Sequence, residues 1–257
     1  MSHGICLLSH VPCRKEPSDR SEMVSQLLFG ERYEILEELP KWTKIKQAND
    51  GYESYICIKQ THQIDSAEFE RLGSEATPLC NELVQVVAEN GSMLPIVMGS
   101  ALPGIEEDVM EIGGRFFSYS GGLTELGKPS NKSQIIEDAF MYLGAPYLWG
   151  GRSPFGIDCS GFTQVVYAMN GVQLPRDAAQ QVERGTNYSF VEEAEAGDLA
   201  FFDNEEGRIV HVGIMLPEGK IIHASGQVRI DKLDHYGIFN EETGKYTHQL
   251  RIIKKII

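Results

Sequence analysis

A glycine-rich loop that empties into a short apolar-periodic helix restricts the fold of this chain more than any other feature. It reads Tyr147-Leu-Trp-Gly-Gly-Arg-Ser-Pro-Phe-Gly-Ile-Asp-Cys-Ser-Gly-Phe162. From Phe162 the apolar residues Phe162, Val165, Val166 and Met169 recur at the i, i+3, i+4, i+7 interval of one buried helix face. Asp158 stands where an N-cap belongs, and Asn170-Gly171 supplies the stop. Cys159 is thereby placed in the first turn, where unpaired N–H groups and the positive end of the helix dipole favour an anion. Such a site is expected to depress a thiol pKa and supply thiolate, the reactive form. A lone cysteine is by default a buried structural residue. Asp158, Ser160 and Gly161 make this setting polar, which favours a nucleophile.

A nucleophilic thiol needs a base. Asp198-Leu-Ala-Phe-Phe202 reads as a buried strand, 203–207 as a polar hairpin, and Ile209-Val-His-Val-Gly-Ile-Met-Leu216 as the next strand. The period of two puts Val210, Val212, Ile214 and Leu216 on one face and leaves His211 and Gly213 on the less apolar one, with room for a partner. After a turn at 217–219, Lys220-Ile-Ile-His-Ala-Ser225 reads as a third strand carrying His223. A hairpin would set His223 beside His211, close enough to orient its ring. Any one histidine is more often structural; thiol, base and orienter together form the set that nucleophilic catalysis requires.

In order and spacing, Pro146-Tyr-Leu-Trp-Gly-Gly151, Asp158-Cys-Ser-Gly-Phe162, Gly197-Asp-Leu199, His211-Val-Gly-Ile214 and Ile222-His-Ala-Ser225 resemble the NlpC/P60 family of cysteine peptidases, over about half the chain. The resemblance implies an α+β fold with a papain-like catalytic domain at 130–257, its cysteine at a helix N-terminus packed on an antiparallel sheet. Such enzymes cleave bacterial cell-wall peptides, commonly between D-glutamate and a diamino acid. It implies Cys159 as nucleophile, His211 as general base and His223 as orienting residue. The Cys159 N–H and the Tyr147 hydroxyl would hold the oxyanion. Asp158 and Ser160, on either side of the nucleophile, are assigned to substrate contacts; Trp149 is read as packing, and Arg152 as local structure or a substrate contact. No metal and no cofactor is expected.

Ahead of this half, short apolar runs alternate with turns: Gly4–Leu8, Ser25–Phe29, Arg32–Leu36, Trp42–Lys46 and Glu53–Cys57. That spacing suggests a small barrel. Val11-Pro-Cys-Arg-Lys-Glu-Pro-Ser18, Leu28-Phe-Gly-Glu31 and Asp50-Gly-Tyr-Glu-Ser-Tyr-Ile56 resemble bacterial SH3 domains, implying one over residues 1–62. Val84–Ala88, Leu94–Met98 and Gly114–Ser118 suggest strands of a second, degenerate SH3-like domain at 66–125. A linker is expected over Gly121–Asn131, and then a helix capped by Ser133 with Ile135, Ile136, Ala139, Phe140 and Leu143 on its apolar face. The charge run Val191–Glu195 reads as a solvated loop.

This pairing is similar to the γ-D-glutamyl-L-diamino acid endopeptidases of the dipeptidyl-peptidase VI type, which recycle murein peptides. These require a free N-terminal L-alanine and release L-Ala-D-Glu. The resemblance implies that Glu16 and Tyr52 face the substrate from the barrel, and that Asp177 joins Glu16 on the substrate ammonium, a group that needs anionic partners when buried. Each has an ordinary reading as well: Glu16 as a solvated turn residue, Tyr52 as a turn-flanking core aromatic, Asp177 as an N-cap. The family often has Ser where this chain has Ala178 or Ala179, so that hydroxyl is missing here.

Composition narrows the partners. A net charge of −14 argues against nucleic acid, anionic membranes and wall polyanions and suits a small soluble ligand, for which the resemblance implies murein tri- and tetrapeptides. No stretch is apolar enough to span a bilayer, and the start, Met1-Ser-His-Gly-Ile-Cys-Leu-Leu-Ser-His10, has no basic n-region, so a cytoplasmic location is expected. Five cysteines at 6, 13, 57, 80 and 159 suggest no disulfide framework, and no Cys-x-x-Cys pair suggests structural zinc. Four other readings remain: a different acyl-transfer enzyme on the same core, a binding module with a dead triad, a Cys/His/His zinc hydrolase, and an exported hydrolase or amidase of intact wall.

Overall fold

The computed structural model describes residues 2–74, 76–127, 129–188 and 193–257, arranged as two compact units. Of the charge run Val191–Glu195, Val191 and Glu192 lie outside the described residues, as does Lys128 of the linker.

The first unit takes Met1–Lys128 together with Trp149–Pro154. Its larger sheet is antiparallel and holds β1 (Ser2–Ile5), β2 (His10–Arg14), β3 (Met23–Leu28), β4 (Arg32–Glu38), β5 (Trp42–Gln47), β6 (Glu53–Cys57) and β7 (Gln63–Ile64), in the order β3-β2-β6-β5-β4-β1-β7. Cys6, Val11, Cys13, Leu27, Tyr33, Ile35, Ile45 and Ile56 fill its core. The strand His10–Arg14 is absent from the sequence reading because Pro12 interrupts its pattern. Helix α1 (Ser66–Arg71), capped by Asp65, follows. A second sheet has β8 (Val84–Glu89), β9 (Ser92–Val97), β10 (Val109–Ile112) and β11 (Arg115–Ser118) in the order β10-β11-β8-β9. Its core joins Val87, Ile96, Met110, Ile112 and Phe117 to Ile5 and Ile64 of the first sheet and to Phe29, just past the end of β3. The expected linker begins inside this unit: Gly122 N–H donates to Glu82 at 2.6 Å, and Asn81 to the Leu123 carbonyl at 3.0 Å.

The glycine-rich segment Trp149–Pro154, with β12 (Arg152–Ser153), also belongs to this unit. Arg152 is buried and donates to both Glu31 carboxylate oxygens at 2.8 Å and to the Gln26 carbonyl at 2.7 Å. This resolves Arg152 as local structure. Trp149 departs from the packing role: it is 58% exposed, its indole N–H donating to Glu22 at 2.7 Å.

The second unit takes Pro129–Leu148 and Phe155–Ile257. It contains α2 (Lys132–Met141), β13 (Gly156–Ile157), α3 (Cys159–Met169), α4 (Ala178–Gln181) and β14 (Thr186–Asn187). The remaining strands are β15 (Leu199–Asp203), β16 (Ile209–Leu216), β17 (Lys220–Ser225), β18 (Gln227–Leu233), β19 (Gly237–Asn240) and β20 (Lys245–Lys255). The sheet runs β14-β20-β15-β16-β17-β18-β19, all antiparallel, and β19 also pairs with β20, so six strands close on themselves. Asn131, not Ser133, caps α2, accepting from the Ser133 N–H at 2.9 Å. Of its expected apolar face Ile135 and Ala139 are buried, but Phe140 and Leu143 are exposed and Asp138 is buried in their place, bonded to Gln134 and Asn170. The fold is α+β, with α3 buried along nearly its whole length.

Candidate active site

α3 begins at Cys159 because Asp158 caps it, its carboxylate accepting the Gly161 N–H at 2.7 Å. Arg176 grips the same carboxylate at 3.0 and 2.7 Å and donates to Ser160 Oγ at 3.0 Å. All three side chains are buried. Gln181 completes the group, donating to the carbonyls of Ser160 and Pro175 and accepting from Thr163 Oγ1 at 2.7 Å. Fully paired buried polar groups fix geometry, so Asp158 and Ser160 use their side chains to set the helix start. Asp177, half-buried, sits at the N-cap of α4, its backbone N–H donating to Gln180 Oε1 at 3.3 Å.

The Cys159 thiol does not follow the expectation of a depressed pKa. Burial pushes it up to about 12, the Asp158 carboxylate adding to the effect; hydrogen bonds from the backbone at Val212 and Ser160 and the Arg176 charge offset only part. Burial outweighs the helix N-terminus here, and the resting group is a neutral thiol.

β16 places His211 one residue from Val212, whose backbone meets that thiol. The strand is buried on both faces from His211 onward. The room expected at Gly213 is occupied by β17: a Cβ there would stand 2.7 Å from Ile221 Cδ1 and 2.8 Å from His223 Cβ. This close approach lets the β16–β17 hairpin bring the two rings together. His211 Nε2 and His223 Nδ1 are 2.8 Å apart, and His223 Nε2 lies 3.0 Å from Asp231 Oδ2 on β18. Arg229 donates to both Asp231 oxygens, at 2.7 and 3.0 Å. Burial works against the Asp231 charge, but hydrogen bonds from His223 and Arg229 hold its carboxyl below the usual range.

The proton order follows. An ionised Asp231 can only accept, so His223 Nε2–H donates to it, and the tautomer with its one proton on Nε2 presents a lone pair at Nδ1. That lone pair accepts from His211 Nε2–H, which leaves the His211 lone pair on Nδ1. Burial, reinforced by the neighbouring His248 and His223, drives the His211 pKa well below its usual value. The site at rest is therefore a neutral thiol beside a neutral imidazole with one basic nitrogen.

A third ring adjoins them. His248, on β20, stacks on His211 with centroids 4.1 Å apart at 23°, and its Nδ1 lies 2.9 Å from Thr247 Oγ1. Burial, with the nearby His223, lowers its pKa to about 4. One ring nitrogen from each of His211, His223 and His248 lies within 4.8 Å of the others, the one group among the described residues with donors suited to a metal ion.

Tyr147 is half-buried, its backbone N–H donating to the Gly226 carbonyl at 3.0 Å. Burial, then the negative charge that Cys159 and Asp158 carry when ionised, raises its hydroxyl to about 12, so it stays a donor. Glu16 and Tyr52 lie in the first unit, Glu16 on an exposed turn and Tyr52 partly buried after Asp50, whose carboxylate accepts its N–H at 2.9 Å. The sequence reading missed Asp231, Arg176 and His248. Asp231 could have been found as an acid inside the alternating run Gln227–Leu233; Arg176 and His248 carry no local signal, because only the tertiary fold brings them to the site.

Residues 144–246 match the NlpC/P60 family, and residues 13–60 the bacterial dipeptidyl-peptidase SH3 domain. The gamma-D-glutamyl-L-lysine dipeptidyl-peptidase of Bacillus subtilis (strain 168) is 29% identical over 212 residues, spanning 78% of this chain and 71% of that protein. The protein of the same name from Bacillus cereus is 27% identical over 256 residues, spanning 88% and 75%. A crystal structure of an NlpC/P60 family protein from Bacillus cereus shares the fold, with a TM-score of 0.84 at 21% identity and 99% of both chains covered. This chain carries an NlpC/P60 cysteine-peptidase domain preceded by a bacterial SH3 domain.

Proposed function

We propose that this peptidase hydrolyses the γ-D-glutamyl–diamino acid bond of murein tri- and tetrapeptides that begin with a free L-alanine, releasing L-Ala-D-Glu in cytoplasmic cell-wall recycling. The observation that carries the chemistry is the relay Asp231–His223–His211 beside a buried thiol at a helix start. The bond and terminus are supported by the two Bacillus relatives named for γ-D-glutamyl-L-lysine dipeptidyl-peptidase activity, and a small soluble substrate rather than a wall polymer by the net charge of −14.

In this reading Cys159 is the nucleophile, His211 the base and His223 its orienting residue. As Cys159 Sγ attacks the γ-carbonyl, its proton passes to His211 Nδ1. The Cys159 N–H and the Tyr147 hydroxyl receive the oxyanion. The His211 imidazolium, stabilised through His223 by Asp231, then protonates the leaving amine, and the base form activates water against the thioester. Asp177, Glu16 and Tyr52 are proposed to recognise the substrate ammonium. The division into SH3-like domains at 1–62 and 66–125 and a catalytic domain at 130–257 belongs to the same proposal.

The test is an endpoint assay on L-Ala-γ-D-Glu-L-Lys and its meso-diaminopimelate counterpart, each with a free and an acetylated amine. Cleavage of free peptides only, lost in Cys159→Ala and weakened through KM in Asp177→Asn and Glu16→Gln, supports the proposal. Equal cleavage of acetylated peptides or of intact peptidoglycan would replace it with a general wall endopeptidase.

A further inference from the structure

We propose that His211, His223 and His248 form a binding site for a divalent transition ion of the zinc class, and that the bound ion switches the peptidase off. The three side chains come from strands β16, β17 and β20 of one closed sheet, with β15 between β20 and β16. A donor nitrogen from each lies within 4.8 Å of the other two. Zinc holds imidazole nitrogen at about 2.0–2.1 Å, which in a tetrahedral arrangement sets neighbouring nitrogens roughly 3.4 Å apart. The 2.8 Å between His211 Nε2 and His223 Nδ1 is already within that reach, and a small turn of the partly exposed His248 ring brings in the third.

The outer partners fit as well as the donors. His223 offers Nδ1 because Nε2 is held by Asp231, the carboxylate–histidine arrangement that raises ligand basicity in metal sites. His248 has Nδ1 against Thr247 Oγ1, which leaves Nε2 for the ion. Three imidazoles with no carboxylate in direct reach favour zinc, nickel or copper over magnesium and calcium, which require oxygen.

Binding would act through the tautomer. The ion takes the His211 Nε2 position that now carries the proton donated to His223. That proton moves to Nδ1, the ring stays neutral, and Nδ1 can no longer accept from the Cys159 thiol. No electron or further proton is exchanged. Ion binding itself does not depend on the proposed peptide substrate; only the consequence for activity rests on that reading.

The experiment uses the full chain as Cys159→Ala, which removes the thiol as a competing ligand. Zn2+ is titrated by calorimetry, and Co2+ by its visible absorption. One ion per chain is expected, with affinity at least about 10-fold weaker in Cys159→Ala/His248→Gln and Cys159→Ala/His248→Phe. The Phe variant preserves a stacked ring, and thermal unfolding checks that each variant is folded. With the intact thiol, Zn2+ should inhibit peptide hydrolysis reversibly, and His248→Gln should need at least about 10-fold more zinc for the same inhibition. No retained ion at micromolar zinc, or equal affinity with and without His248, overturns the site. Binding without inhibition overturns the switch. If no tested peptide is cleaved, the binding arm still decides the site, so that failure is separate from failure of the proposed activity.

Discussion

Replacing the Asp231 carboxylate by an amide disturbs the proton order of the whole histidine relay. Arg229 donates to both carboxylate oxygens, so an amide NH2 meets an arginine N–H in either orientation. It also brings no charge to stabilise an imidazolium at His223 or His211. Asp231→Asn is expected to lower kcat on the order of 10²–10⁴-fold with little change in KM, the range seen when the acid of a nucleophilic triad is amidated. Steady-state kinetics check this, and a wild-type kcat would remove Asp231 from the relay. The neutral thiol gives a second expectation. With its pKa pushed up to about 12, Cys159 should react with iodoacetamide at pH 7 more slowly than a free cysteine. Its rate should climb through alkaline pH without a plateau between pH 5 and 7. Site-resolved mass spectrometry separates it from Cys57, the one cysteine that is not buried. A plateau below pH 7 would mean a resting thiolate–imidazolium pair and would contradict the neutral site.

Elements were legible in the sequence where local rules act alone. α3 and the β16–β17 hairpin stand where the Asp158 cap, the i, i+3, i+4, i+7 spacing and the turn at 217–219 put them. The meeting of His211 and His223 was legible for that reason. Errors arose where tertiary context overrides local pattern. Phe140 and Leu143 fit an apolar helix face and yet are exposed, and Asn131 caps the helix that Ser133 was expected to cap. Arg176 and His248 come from pairings remote in sequence, which periodicity cannot report. Arg176 shows what such a residue does for an element. It is fully buried, and its planar fork matches both Asp158 oxygens at the start of α3. Arg176→Met strands a buried carboxylate and is expected to cost about 3–5 kcal/mol of stability. Arg176→Lys keeps the charge but loses the fork, so a smaller loss is expected. Urea unfolding measures both; equal stability of Arg176→Met and wild type would show that the pair does not hold the helix start.

Across the whole molecule, several acids are kept neutral by burial, and this sets how stability responds to alkali. Burial raises Cys13 and Cys159 to about 12 and raises Cys6, Tyr33 and Tyr167 above their usual ranges. In the unfolded chain these thiols titrate near about 8.5 and the phenols near about 10. Between unfolded and folded pKa values the unfolded state holds fewer protons, so the slope of unfolding free energy against pH is negative there. Their stabilising effect is fully present below about pH 8.5 and declines as pH rises toward the folded values, each group contributing up to about 1.4 kcal/mol per pH unit. Cys13 and Cys159 lie in different units. Urea midpoints followed by far-ultraviolet circular dichroism at pH 8, 9, 10 and 10.5 should fall steeply above pH 9. Growing self-repulsion from the net charge of −14 would also lower stability at high pH, and two variants separate the effects. Cys13→Ala and Cys159→Ala should each flatten the decline. Equal slopes in wild type and both variants would assign the alkaline loss to net charge rather than to buried thiols.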